Sequence, residues 1–128
     1  MQAEDQDMEF YGGDPPVNPA RDLVAVIPSS IGDTDELLRQ YAVQLHLPGY
    51  FGFNWNALSD CLRDLSWVTE RRVVIVHQGL PRLEEGDLKV YLDVLGECVR
   101  SWTRNENHQV VIAFPKDCKD AVAPFLGA

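Results

Sequence analysis

Residues 47–62 read Leu-Pro-Gly-Tyr-Phe-Gly-Phe-Asn-Trp-Asn-Ala-Leu-Ser-Asp-Cys-Leu and are the most informative segment of the chain. The first part, to Phe53, mixes glycine and proline with aromatic residues and therefore predicts a loop. The second part predicts an amphipathic helix that begins after an Asn54 N-cap and runs to about Leu65. Its apolar face carries Trp55, Leu58, Cys61, Leu62 and Leu65.

The opposite face of this helix is polar, and the loop before it is aromatic. The polar face carries Asn56, Ser59, Asp60, Arg63 and Asp64, and the loop carries Tyr50, Phe51 and Phe53. Three aromatic residues so close together are not all expected to point into the core. Exposed aromatic side chains beside a few charges are typical of binding hot spots. The segment predicts a protein-binding surface, although a plain solvent-facing helix is an open alternative.

The flanking sequence predicts alternating strands and helices. Apolar runs at Leu23–Ile27, Val73–His77 and Val110–Phe114 predict strands that are buried on both faces. Helical spacing predicts helices over about 34–45, 55–65 and 87–103, with a short helical turn in the tail, 116–128. Asp33, with Glu36 three residues later as in a capping box, predicts the start of the first of these helices. Strands separated by helical crossovers predict an α/β fold, with a three-stranded parallel sheet packed by about four helices.

Length and composition predict one folded domain with an N-terminal extension. At 128 residues the chain can form a single core. Residues 1–20 hold five acidic residues, a Gly-Gly pair and three prolines, which predicts an acidic, flexible extension. We therefore expect the domain itself to comprise residues 21–128.

Charge and cysteine content limit the classes of partner and the cellular compartment that are expected. The net charge of −9 disfavours direct binding to nucleic acid or to anionic membranes and would attract a basic protein. No apolar run is long enough to cross a bilayer, and no signal peptide is visible, so a cytoplasmic location is expected. The three cysteines (Cys61, Cys98 and Cys118) form no C-x-x-C pair and are expected to be reduced thiols.

Motifs for catalysis, metals or cofactors are not found in the sequence. It contains no phosphate-binding glycine loop and no nucleophile elbow, and its three histidines are far apart. We therefore expect no metal, no cofactor and no enzymatic activity. One alternative stays open, a small hydrolase that uses Asp60 and Glu97 as a carboxylate pair, although an acidic chain supplies such pairs by chance.

The loop and helix resemble the barstar family, the intracellular protein inhibitors of barnase-type ribonucleases. The residues that carry the resemblance are Leu47-Pro48-x-Tyr50-Phe51-Gly52-x-Asn54-x-Asn56-Ala57-Leu58-x-Asp60-Cys61-Leu62. They match the pattern L-P-x-Y-[YF]-G-x-N-x-D-A-L-x-D-x-L at nearly every fixed position. The resemblance covers about Leu23 to Phe114. It implies a three-stranded parallel sheet surrounded by helices.

The resemblance also implies a mechanism and a set of contact residues. In the family, the second helix and its preceding loop close the ribonuclease active site, where acidic side chains replace the substrate phosphate. Asp60 matches the aspartate that enters the phosphate pocket, and Tyr50 matches the loop tyrosine. Glu97 aligns with a glutamate of the last helix, and Trp67 stands near a tryptophan that follows the second helix. The implied partner-binding residues are Tyr50, Asn54, Asn56, Ser59, Asp60, Trp67 and Glu97.

The sequence departs from the pattern at two positions on the helix. Asn56 replaces the first acid of the motif, so one charge–charge contact becomes a neutral hydrogen bond. Ser59 stands where barstar has an aromatic residue. The leading hypothesis is an inhibitor or immunity protein, monomeric when free, that binds a basic ribonuclease. The alternative is a non-inhibitory binding or regulatory module on the same scaffold with a different partner.

Overall fold

Four parallel strands form one sheet in the computed structural model, which describes residues 8–102 and 107–126. The strands are β1 (Met8–Tyr11), β2 (Leu23–Ile27), β3 (Arg72–His77) and β4 (Gln109–Pro115), and their spatial order is β1-β4-β3-β2. In register, Ala25 pairs with Ile75, which pairs with Ile112. The predicted α/β class with a parallel sheet is confirmed.

Helices connect the strands near the predicted positions. They are α1 (Thr34–Gln44), α2 (Trp55–Asp64), α3 (Glu85–Trp102) and α4 (Lys119–Leu126), with a short 3-10 turn at Lys116–Cys118 before α4. The Asp33 side chain caps α1 by accepting from the backbone N–H of Glu36 at 2.8 Å, as the sequence predicts. The predicted end of α3 at Thr103 and the last residues of the tail lie outside the described residues.

All four helices pack on one face of the sheet. Strand residues that point to this face share one core with the buried residues of the helices. The central members of that core are Ala25, Ile27, Val73, Ile75, Leu37, Tyr41, Leu58, Leu62, Tyr91, Leu95 and Val122. This alternation along the strands explains why the continuous apolar runs are needed: every second residue faces the helices, and the others face the opposite side.

The opposite face of the sheet is covered by the segment between β1 and β2, not by helices. Val74, Val76 and Val111 are buried there against Tyr11, Val17 and Val24. Arg72 holds this segment in place because its guanidinium donates to the Asp22 carboxylate at 2.5 Å and to the Pro16 carbonyl at 3.0 Å. The Tyr11 hydroxyl donates to the carbonyl of His77 at 2.6 Å. Burial on both faces is as predicted for β3 and β4, with a different cover on the second face. The prediction is wrong for β2, because Val26 is 36% exposed on that face.

The number of strands and the state of the N-terminal segment correct the sequence prediction. The sheet has four strands instead of three, and the additional strand, β1, lies inside the predicted flexible extension, 1–20. Met8 pairs with Ile112 and Tyr11 with Pro115. The prediction failed because a four-residue edge strand among acidic, glycine and proline residues gives little local signal. Residues 1–7 lie outside the described part of the chain.

The free edge of β2 is covered by a side chain of α1. The Gln44 amide donates to the Val26 carbonyl and accepts from the Val26 N–H, each at 2.6 Å. A side-chain amide thereby takes the place of another strand, which reduces the risk of edge-to-edge pairing with a second copy. Within residues 8–102 and 107–126, no helix is both long and apolar enough to span a lipid bilayer.

Candidate functional site

The aromatic residues of the loop before α2 divide between the core and the solvent. Phe51 is 6% exposed and belongs to the core, whereas Tyr50 is 76% and Phe53 is 51% exposed. The ring centroids of Phe51 and Phe53 lie 4.7 Å apart, so the exposed Phe53 packs against the buried Phe51. The expectation that these aromatics do not all enter the core is confirmed. The loop therefore presents two large rings to a partner.

Phe53 has a strained backbone. Its φ is +53°, in the left-handed region that favours glycine. An L-residue in this region costs about 1 kcal/mol or more relative to an ordinary conformation. The next residue, Asn54, is extended with φ −144°, so the turn at Phe53 redirects the chain into the start of α2. The strain coincides with an aromatic side chain held in solvent, a combination that often marks a functional position.

Asn54 fixes the beginning of α2. Its Oδ1 accepts from the backbone N–H of Ala57 at 2.8 Å, which satisfies one of the free donors of the first turn. Its Nδ2 donates to the carbonyl of Gly52 at 3.4 Å. The predicted N-cap is confirmed. Because the side chain is engaged in the cap, its structural contribution is to set the angle between the loop and the helix.

The end of α2 is held by α3 and β4. Leu65, the C-cap, adopts the left-handed conformation with φ 51°, and its N–H donates to Cys61. The indole of Trp102 donates to the carbonyl of Leu62 at 2.7 Å. The ring nitrogens of His108 lie 3.1 Å from the carbonyl oxygen of Leu65 and 2.8 Å from that of Glu70. The bond from Trp102 supplies a donor to the Leu62 carbonyl in the last turn of α2, and His108 lies beside the carbonyls of Leu65 and Glu70, which follow the helix.

A hydrogen-bonded network of buried polar side chains packs against Trp55, the first residue of α2. The hydroxyls of Tyr41 and Tyr91 are 2.5 Å apart, and Tyr91 lies 2.6 Å from Nε2 of His77. Nδ1 of His77 must donate to the carbonyl of Ala113, 3.0 Å away, because a carbonyl only accepts. Nε2 therefore accepts from Tyr91, and Tyr91 accepts from Tyr41. The Trp55 ring packs beside Tyr91 with centroids 5.9 Å apart.

Burial keeps the three side chains of this network, Tyr41, Tyr91 and His77, neutral. It lowers the pKa of His77 to about 3, although the hydrogen bond to Ala113 opposes the shift. The same burial raises the pKa of Tyr41 and of Tyr91 far above that of an exposed phenol. The His77 ring also stacks on Phe114 with centroids 3.7 Å apart. The network is thus a neutral, satisfied support for the helix and offers no charged group to a partner.

The exposed face of α2 presents one acid with a weakly held partner. Asp60 has 77% of its side chain exposed and accepts from Arg63, 3.2 Å away and 45% exposed. Such an exposed pair contributes at most about 1 kcal/mol, so Asp60 can exchange Arg63 for another cation at little cost. Asn56 is also exposed, one turn before Asp60. Asp60 and Asn56 therefore share the solvent-facing side of the helix.

Ser59 differs from the sequence prediction. It was expected on the polar, solvent-facing side of α2, but it is only 9% exposed. Its position four residues after Trp55 places it on the boundary of the apolar face, where the small side chain fits beneath neighbouring elements. Its backbone carbonyl accepts from Nε of Arg63 at 3.3 Å. The predicted exposure of Ser59 is therefore wrong, and its contact with a partner stays a prediction.

The two remaining predicted contact residues flank α2. Trp67 is half-buried, and its indole donates to the carbonyl of Leu45 at 2.9 Å, so it joins the loop after α2 to the end of α1. Glu97 is exposed on α3, the helix whose Cys98 and Trp102 contact the end of α2. Contact of either residue with a partner stays a prediction.

The thiols do not have the properties of catalytic nucleophiles. The three cysteines all lie in the described part of the chain and form no disulfide there, and Cys61 and Cys98 are buried. Burial raises the pKa of the Cys61 thiol, and the carboxylates of Asp64 and Asp60 raise it further. Burial and Asp117 likewise raise the pKa of Cys118. Since the thiolate is the reactive species, these environments oppose nucleophilic chemistry.

Metal binding and carboxylate catalysis are not indicated by the described part of the chain. No group of three histidine, cysteine or acidic residues there could hold a metal ion. Asp60 and Glu97, the carboxylate pair considered for a hydrolase, are both on exposed positions. General acid–base catalysis relies on carboxyls with perturbed, partly desolvated environments. The arrangement is suited to binding.

Sequence reasoning missed a cavity beside the loop. It has a volume of about 360 Å³ and is lined by Asp35 and Arg39 of α1 together with Phe53. Phe53 occupies a variable position of the loop pattern, so the pattern gave no reason to single it out. Asp35 and Arg39 are four residues apart and thus share one face of α1, but nothing in the sequence pairs that face with the loop.

Comparison with known proteins identifies the family. The family model described as Barstar (barnase inhibitor) matches residues 22–114. The match includes the helices α1, α2 and α3, the strands β2 and β3, and β4 up to its last residue but one. No curated protein matches the chain. With the family model covering more than half of the 128 residues and with the loop, the capped helix and the exposed aspartate in place, the chain belongs to the barstar family.

Proposed function

We propose that this protein is an intracellular inhibitor of a barnase-type ribonuclease and closes the enzyme's active site with α2 and the loop before it. Membership of a family of ribonuclease inhibitors supports this function in general terms. The observation that carries it here is the exposure of Asp60 on a helix held at both ends, beside the exposed ring of Tyr50.

Charge supports the choice of partner. The chain has a net charge of −9, and ribonucleases of this type must bind the polyanionic backbone of RNA with cationic side chains. An acidic protein approaching a cationic cleft gains a steered, fast association. Asp60 can then form charge-assisted hydrogen bonds with the cations that hold the substrate phosphate.

The structure of the free protein supports tight binding because the binding elements are already ordered. The cap at Asn54, the bond from Trp102 to Leu62 and the buried network behind Trp55 hold α2 in a single orientation. Little conformational freedom is then lost on association. Tyr50 covers the site from the loop, Asn56 replaces a charged contact by a neutral hydrogen bond, and Glu97 adds an acid from α3.

Asn56 also favours a second candidate function, a binding or regulatory module with another partner. An amide at the position of the family's first helix acid removes one charge that a barnase-type pocket would use. This module would retain the surface formed by Tyr50 and Asp60 but would leave nuclease activity unchanged. The inhibitor is the favoured function because its acidic surface suits a cationic active site.

Titration of the purified protein into ribonuclease assays tests the proposal. A panel of barnase-type ribonucleases, with barnase among them, should contain an enzyme that loses its activity in proportion to the inhibitor added and reaches zero at equimolar protein. Asp60→Ala should inhibit that enzyme much less. Full activity of every enzyme at saturating protein contradicts the proposed function and leaves the binding module as the account of this surface.

A further inference from the structure

We propose that Phe53, Asp35 and Arg39 form a second contact region that accepts an apolar side chain of the ribonuclease, exposed near its active site. We call it the α1 cleft. The inference rests on the proposed function, because it assigns a further part of the same partner to this surface. It extends the interface from α2 and its loop onto α1.

The geometry of the α1 cleft is that of an open recess with one aromatic wall. Its volume of about 360 Å³ can receive a single large side chain, and its lining consists of Asp35, Arg39 and Phe53. Phe53 is half exposed and immediately precedes Asn54, the N-cap of α2. The α1 cleft therefore adjoins the loop that carries Tyr50, at the point where the chain enters the helix that carries Asp60.

The charges at the rim decide what kind of side chain fits. Asp35 and Arg39 contribute one charge of each sign, so the rim has no net preference for a cation or an anion. Within residues 8–102 and 107–126, neither of them has an ion-pair partner. The phenyl ring is the only apolar wall among the three lining residues. An apolar side chain at the centre with polar contacts at the rim matches the usual composition of interfaces.

The backbone strain at Phe53 argues that its exposure has a purpose other than folding. At φ +53° a glycine or an asparagine would be less strained than phenylalanine. In the free protein this ring contacts Phe51, with centroids 4.7 Å apart, and leaves about half of its surface in water. Covering the exposed half by an apolar side chain of the partner would give the ring a favourable environment in the complex.

The test compares the variant Phe53→Asn with Asp60→Ala and with Val26→Thr. Asparagine tolerates the left-handed backbone at position 53, and Val26 is an exposed apolar residue of β2 on the face away from the helices. Thermal unfolding first establishes that each variant is folded. Affinity and association rates are then measured at low and high salt on the ribonuclease of the panel that the parent inhibits most strongly.

Phe53→Asn should bind about ten- to a hundredfold more weakly, mainly through faster dissociation, with the salt dependence of association unchanged. Asp60→Ala should in addition reduce the salt dependence, and Val26→Thr should bind as the parent does. If Phe53→Asn binds within about twofold of the parent while Asp60→Ala is weakened, the α1 cleft is not a contact and the proposed function stands. If no ribonuclease binds the parent, both proposals are overturned.

Discussion

Asp60→Ala should weaken binding strongly while it leaves the stability of the fold nearly unchanged, more clearly than any other single substitution on α2. In the free protein the Asp60 carboxylate accepts a hydrogen bond from the exposed Arg63, at 3.2 Å. Loss of that pair should change the free energy of unfolding by less than about 1 kcal/mol. In the complex the same substitution leaves buried cations of the enzyme without a partner, at a cost of about 2–5 kcal/mol. The affinity should therefore fall by about 30- to 4,000-fold.

Asp64→Ala is the matched control because it removes the same charge from the same helix. Asp64 is exposed and only accepts a hydrogen bond from the hydroxyl of Ser66, 3.2 Å away. Both variants lose the same long-range attraction, so the difference between their inhibition constants reports the local contact of Asp60. Inhibition of the ribonuclease and urea unfolding are measured for both. Equal inhibition constants for Asp60→Ala and Asp64→Ala would refute the assignment of Asp60 to the phosphate pocket.

Three further predictions concern the interface, pH and packing. Asn56→Asp should bind a barnase-type enzyme about tenfold more tightly in a binding titration, by restoring one charge-assisted hydrogen bond; unchanged or weaker affinity would show that the pocket is matched to the amide. His77 stays neutral when folded, with a pKa of about 3, but takes up a proton when unfolded below pH 6.5. The unfolding free energy should thus fall as pH decreases from 6.5 toward 3, and protonation of His77 in the unfolded chain should contribute up to about 1.4 kcal/mol per pH unit. Measured by urea unfolding, the unfolding free energy of His77→Gln should depend less steeply on pH than that of the parent, and His46→Asn is the control. An equal pH dependence of His77→Gln and the parent would contradict the neutral ring. A Cβ on Gly96 would lie 2.3 Å from the carbonyl oxygen of Phe125 in α4, so Gly96→Ala should lose about 1–3 kcal/mol in thermal unfolding. Gly86→Ala, in open space on the same helix, should be neutral or slightly stabilising, and equal stability of the two would mean that α3 and α4 are not packed so closely.

Local patterns in the sequence predicted the central elements because each has a strong signal of its own. Asp33 and Asn54 are caps in the structure, and the apolar runs of β2, β3 and β4 are the strands. That the three loop aromatics do not all enter the core also followed from their closeness in the sequence, whereas the burial of Phe51 in particular did not.

Features that depend on distant contacts could not be predicted in this way. β1 is held by pairing with β4, a hundred residues along the chain, and its own four residues carry only a weak strand pattern. Ser59 is buried in the folded protein although helical spacing places it among the polar residues of α2. The cavity beside Phe53 likewise requires the position of α1 relative to the loop.

Competition for the ribonuclease active site tests the central claim most directly. The dissociation constant of the protein is measured for its target ribonuclease at increasing concentrations of a mononucleotide that occupies the substrate-phosphate site. If α2 and its loop fill that site, the apparent dissociation constant should rise linearly with the nucleotide concentration. An apparent dissociation constant that does not change with saturating nucleotide would show that the two bind at different places and would contradict the claim.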